Sequence, residues 1–103
     1  MRRLPTERPP THPGEMLVEE FLKPLEVGQS DFADNLGIPH TQLDDIISER
    51  RAVTPMLALR LARVLGMTPD FWLGLQQDWD LWYAMRSDAA SEINQLRPLA
   101  VMA

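Results

Sequence analysis

Three times in this chain a residue able to cap a helix stands directly before a proline: His12-Pro13, Thr54-Pro55 and Thr68-Pro69. Proline suits the first position of a helix, where its missing N–H costs nothing, and a polar residue before it accepts from the orphan amides there. Each pair therefore marks a helix start. Gly37 and Gly66 stand where a helix needs a left-handed closing residue. Between these marks apolar residues recur at three and four. Met16, Leu17, Phe21 and Leu22 form one stripe, which Pro24 should end. Phe32, Ala33 and Leu36 lie in a helix opening near Gly28, and Leu43, Ile46 and Ile47 in one covering about His40 to Glu49. Leu57, Ala58, Leu61, Ala62 and Leu65 follow, then Trp72, Leu75, Trp79, Trp82 and Tyr83 with Phe71 alongside. The pattern predicts an all-α chain of five helices.

With 103 residues there is room for one small core. Residues 1 to 11 combine three prolines with three arginines and no apolar period, so a flexible arm is expected there. The helical domain should occupy 12 to 86. The tail from 87 to 103, with Ile93, Leu96, Leu99, Val101 and Met102, is readable either as a short helix or as an extended segment. No cysteine is present, which excludes disulfides and thiolate metal sites and points to a reducing compartment. His12 and His40 are too few for a zinc site. No metal, cofactor or enzymatic activity is expected, since neither a phosphate loop nor a nucleophile with a partner base is apparent. Without an apolar run long enough to span a bilayer or an apolar leader, the expected setting is cytoplasmic, with no membrane partner.

Ala33, Gly37, Leu43 and Ile46 form a more specific set. Two helices crossing steeply through a three- or four-residue turn need a small residue at the crossing, a turn residue tolerant of positive φ, and apolar residues bracing the second helix. This order meets those needs and predicts a helix-turn-helix at 29 to 48, flanked by Phe32, Leu36 and Ile38. The bland reading is helix packing alone. On DNA, the start of the second helix would enter the major groove and the start of the first would lie near phosphates. Gln29, His40, Thr41 and Gln42 then face the duplex. Gln42 suits adenine, Thr41 a thymine methyl or a phosphate, and His40 guanine or a phosphate.

Charge complicates that reading. Between Gln29 and Arg51 there are five acidic residues and two basic ones, and the whole chain carries a net charge of −5. Carboxylates repel phosphates unless one accepts a cytosine amino group. Asp44 suits the positive end of its helix, whereas Asp45, one turn past Thr41, is a candidate for the groove. Arg50, Arg51 and Thr54 form the phosphate-binding candidates, and loss of one such contact should shallow the salt slope by about 0.9.

The strings HPGE at 12 to 15, the motif from Ala33 to Ile46, TPMLALRLARVLG at 54 to 66 and TPDFWLGLQQDWDLW at 68 to 82 together resemble the HigA group of antitoxins within the Xre/Cro-type helix-turn-helix family. The resemblance runs from about His12 to Arg86. It implies a Cro/cI-type domain with a C-terminal dimerisation segment, a homodimer that represses its own operon at a palindromic operator in double-stranded DNA, and a RelE-like mRNA-cleaving toxin as partner. Such proteins usually carry Arg or Ser near His40 to Gln42 and Gly where this chain has Glu49. Those departures bear on operator affinity and sequence, not on the fold.

Two further surfaces follow from the residues. The fifth helix is more apolar than one small core requires, so Trp79, Trp82 and Tyr83, with Ile93 and Leu96 from the tail, are expected at the dimer contact. A ribonuclease that grips RNA should be basic, and Glu15, Glu19 and Glu20 form the acidic cluster suited to masking it; the bland alternative is a solvated face with Glu19 paired to Lys23. A stand-alone repressor without a toxin partner is the competing function, and a toxin neutraliser with little DNA binding is the third.

Overall fold

The computed structural model describes residues 8 to 99, and every regular element among them is helical. The first helix, α1, is continuous through an α segment Pro13–Leu17, a π segment Val18–Leu22 and an α turn Lys23–Leu25. It is followed by α2 (Gln29–Leu36), α3 (His40–Ile47), α4 (Pro55–Leu65), α5 (Pro69–Ala84) and α6 (Ala89–Asn94). The sixth helix resolves the alternative left open for the tail. Val101 and Met102, and residues 1 to 7 of the expected arm, lie outside the described residues.

Pro24 does not end α1. Its ring would collide with the carbonyl of Glu20 in a regular helix, and the widened π segment directly before it is where a chain absorbs that conflict. The helix stops one residue after Leu25, where Glu26 turns left-handed at φ 55° and the Val27 N–H donates back to the Leu22 carbonyl at 3.0 Å. Thr68 also departs from expectation. It holds the cap position of α5 with extended backbone, but its side chain makes no capping bond. The caps at His12 and Thr54 form as expected, with Nδ1 of His12 accepting from the Gly14 N–H at 2.9 Å and the Thr54 hydroxyl from the Leu57 N–H at 3.3 Å.

One core joins the first five helices. Leu17, Ala33, Leu43, Ile46, Leu61 and Trp72 are almost wholly excluded from solvent, and full burial of each large apolar side chain among them contributes roughly 1.5 to 3 kcal/mol. Packing pairs α4 with α5, α2 with α3, α1 with α3 and α2 with α4. No residue of α6 is buried.

Candidate nucleic-acid interface

The crossing of α2 and α3 is set by its connector. Gly37 sits at φ 71°, and the Ile38 N–H donates to the Ala33 carbonyl at 3.1 Å, which closes α2 while turning the chain through Ile38 and Pro39. Arg60 of α4 fastens this corner from outside, its Nη1 donating to the Leu36 carbonyl at 2.8 Å. Leu43 and Ile46 are buried beneath the second helix, so its opposite side is left in solvent. Neither Gly28 before α2 nor Pro39 before α3 supplies a side-chain cap. Both helices therefore present first-turn amides that no side chain occupies, the arrangement that receives an anion.

The polar side chains around these two ends are tied to carboxylates. Gln29 Nε2 donates to Asp44 Oδ1 at 3.0 Å, linking the start of α2 to α3. His40 Nε2 lies 2.9 Å from Asp34 Oδ1. Asp45 takes Arg50 Nη2 at 3.2 Å on one oxygen and Arg51 Nη2 at 3.7 Å on the other. Thr41 is exposed and Gln42 half-buried. So the structure gathers Gln29, His40, Thr41, Gln42, Asp45, Arg50 and Arg51 about one helix pair, whereas the Thr54 hydroxyl is occupied as the cap of α4. α3 ends at Ile47, short of the expected Glu49. Glu49 instead takes the left-handed position at φ 67°, the place where the resemblance implies glycine.

The helix-turn-helix family model matches residues 18 to 72. Antitoxin HigA-1 of Vibrio cholerae is 35% identical over 96 residues, covering 93% of this chain and 90% of the relative. The chain belongs to the HigA-like group of Xre-type helix-turn-helix proteins. An uncharacterized HTH-type transcriptional regulator of Haemophilus influenzae is 43% identical over 75 residues, which cover 73% of this chain and 70% of that protein. Among solved structures, antitoxin GraA in complex with its operator aligns with a TM-score of 0.82 at 35% identity, over 96% of this chain and 100% of that one.

Three residues of this HigA-like chain support the interface and carry no chemical signature in the sequence. A Cβ on Gly14 would stand 2.4 Å from the Ile46 carbonyl oxygen and 2.8 Å from the Ile47 Cα, so α1 touches α3 backbone to backbone. The only local hint is a glycine in the first turn of a helix, where it is unfavourable without a packing reason. Buried Gln76 of α5 accepts from the Val53 N–H at 2.9 Å and donates to Asp80 at 2.9 Å, pinning the chain that leaves Arg50 and Arg51. Arg60 is the third. Gln76 and Arg60 find partners more than twenty positions away, beyond the reach of any local pattern.

His12 belongs to the same support. It is 2% exposed, its ring meets Trp79 edge-on at 4.8 Å, and burial holds its pKa below the ordinary 6.5 against the opposing pull of Glu49, Asp80 and Glu15. Glu15, Glu19 and Glu20 are exposed on α1, with Glu19 paired to Lys23 at 2.6 Å as the bland reading held. Trp79 and Trp82 are half-buried, while Tyr83, Ile93 and Leu96 are exposed. Tyr83 meets both tryptophans, tilted against Trp79 and edge-on to Trp82, and Arg86 lies 3.7 Å over the Trp82 ring. Among the described residues no helix is long and apolar enough to cross a membrane, and no cluster has the makings of a metal site.

Proposed function

We propose that this chain is the antitoxin of a type II toxin–antitoxin module, repressing its own operon through a palindromic operator and neutralising a RelE-like mRNA-cleaving toxin. The observation that carries the reading is the near full-length likeness to GraA, a protein solved with its operator, together with 35% identity to HigA-1. The open ends of α2 and α3 support it, because two uncapped helix starts side by side receive phosphates while α3 offers Thr41 and Gln42 to base edges. A palindrome follows if the protein is a two-fold dimer, whose recognition helices repeat about one DNA turn apart.

For the dimer, the supporting feature is the unburied apolar end of the molecule. Leu81, Met85 and Ile93 line a groove of about 330 Å³ between α5 and α6, and a six-residue helix is not stable in water by itself. A second copy covers it. For the toxin, Glu15, Glu19 and Glu20 supply the acidic surface.

Gel shift with the chain's own upstream DNA, at stated salt and with and without the product of the adjacent gene, tests all of this. Retardation by the protein alone and a stoichiometric complex with the neighbour are expected. Retardation with no protein partner would favour the stand-alone repressor, the reading that the Haemophilus influenzae regulator supports. Complex formation without retardation would leave a neutraliser alone. Charge reversal of the α1 glutamates should abolish toxin binding, and unchanged binding would move the toxin site elsewhere.

A further inference from the structure

The cations nearest the recognition helix are not free to meet phosphate. Arg50 and Arg51 follow α3 after Ser48 and Glu49, and each offers an Nη2 to a different oxygen of Asp45, at 3.2 and 3.7 Å. Asp45 lies on the second turn of α3, one turn beyond Thr41, with its side chain 33% exposed against 69% for Arg50 and 52% for Arg51. The Arg50 amide also donates to the Asp45 carbonyl at 2.8 Å, so backbone and side chain hold the same register. Two guanidiniums around one carboxylate leave a single net positive charge where the sequence supplies two. The geometry points to Asp45 as a specificity-determining residue that holds both arginines off the phosphates of arbitrary DNA.

The physical reason lies in what the two binding modes can offer. Non-specific binding is almost wholly phosphate contact and counterion release. A carboxylate that competes for the only two basic side chains between Gln29 and Arg51 therefore weakens that mode most. At the operator, contacts by α3 to base edges fix the protein close enough for the arginines to exchange Asp45 for phosphate, and the cost of opening two exposed ion pairs is small. Asp45 thus lowers affinity for all DNA, and lowers it more for the wrong sequence. This inference rests on the operator-binding reading.

The test compares wild type, Asp45→Asn and Asp45→Glu, each as full chain, on a duplex of the natural upstream region and on a shuffled duplex of equal composition, across a salt series. Asp45→Asn should bind the shuffled duplex about threefold to tenfold more tightly, a gain within reach of two surface ion pairs. Its salt slope there should steepen by about 0.9 for each arginine released. The ratio of specific to non-specific affinity should fall, and Asp45→Glu should restore it in part. The gain should vanish when Arg50→Ala and Arg51→Ala are combined with Asp45→Asn, which separates release of the arginines from any change in folding. An unchanged ratio and slope in Asp45→Asn, with a wild type that discriminates between the duplexes, overturns the role of Asp45 alone. A wild type that binds neither duplex overturns the operator reading, and this inference with it.

Discussion

Protonation of His12 removes the lone pair that Nδ1 offers to the Gly14 amide and places a charge in a nearly closed site against Trp79. Its pKa is lowered in the fold, mainly by burial, so the unfolded chain takes up the proton more readily than the folded one. Stability is then full above the ordinary 6.5 and is lost as pH falls from there through the lowered folded value. We expect the urea midpoint to drop between pH 7 and pH 5, and the drop to shrink in His12→Asn, which retains a capping oxygen without a titratable ring; an equal drop in both would assign the acid sensitivity to other groups. Glu49 is the second residue with a sharp expectation. A side chain at φ 67° costs about 1 to 2 kcal/mol, and glycine's extra freedom when unfolded offsets about half of that. Glu49→Gly should therefore stabilise the fold by roughly 0.5 to 1 kcal/mol, read as a higher denaturation midpoint at unchanged slope. Caps and glycine turns at His12, Gly37, Thr54 and Gly66 were legible because their chemistry is local. The roles of Asp45 and Gln29 were not, because an exposed carboxylate or amide has the same sequence signature whether it faces DNA or a neighbouring side chain.

At the scale of elements, the attitude of α3 depends on what supports it from behind. Gly14 brings α1 into backbone contact with the last turn of α3, and the atoms a Cβ would meet are the Ile46 carbonyl and the Ile47 Cα, neither of which swings aside. Gly14→Ala should cost about 1 to 3 kcal/mol as overpacking and shift the amide resonances of α3. Gly28→Ala makes an internal control, since a Cβ there meets nothing within 4 Å. Alanine by itself favours a helix over glycine, so a Gly14→Ala variant as stable as wild type would show that the α1–α3 approach does not set a cost. Gln76 acts on the chain that leaves α3, through Val53. Replacing it with leucine leaves the Val53 N–H buried and unpaired, a penalty of about 1 to 3 kcal/mol, and frees the segment carrying Arg50 and Arg51. Faster amide exchange confined to residues 48 to 54 is the expected signature. The order of helices was readable from periodicity and punctuation, with α1 the informative exception. Pro24 has its usual local effect, yet the π segment before it and the packing of Leu17 and Leu22 carry the helix past it, a tertiary override that no local rule contains.

Taken whole, the molecule is drawn out, with principal extents of 52 × 26 × 23 Å and a radius of gyration of 16.7 Å, against about 13 Å for a compact chain of 100 residues. The elongation comes with an uncovered end: Met85, Ile93 and Leu96 are each more than half exposed. In the proposed dimer this end is the contact, and operator affinity depends on it through geometry alone. Once one α3 is seated, the second half-site sees the partner helix at a high effective concentration, which raises overall affinity by about 10² to 10⁴ over one domain. Breaking the contact should therefore weaken operator binding although no DNA-facing residue has changed. Charge must be separated from assembly, because an added carboxylate would by itself repel DNA from a chain already at −5. The matched pair Leu96→Asp and Leu96→Lys makes that separation. Both bury a charge at the contact and should give a monomeric mass by light scattering, and both should lose operator affinity by a factor of about 10² or more. If Leu96→Lys binds more tightly than wild type while Leu96→Asp binds more weakly, long-range charge governs the result and the dimer contact lies elsewhere.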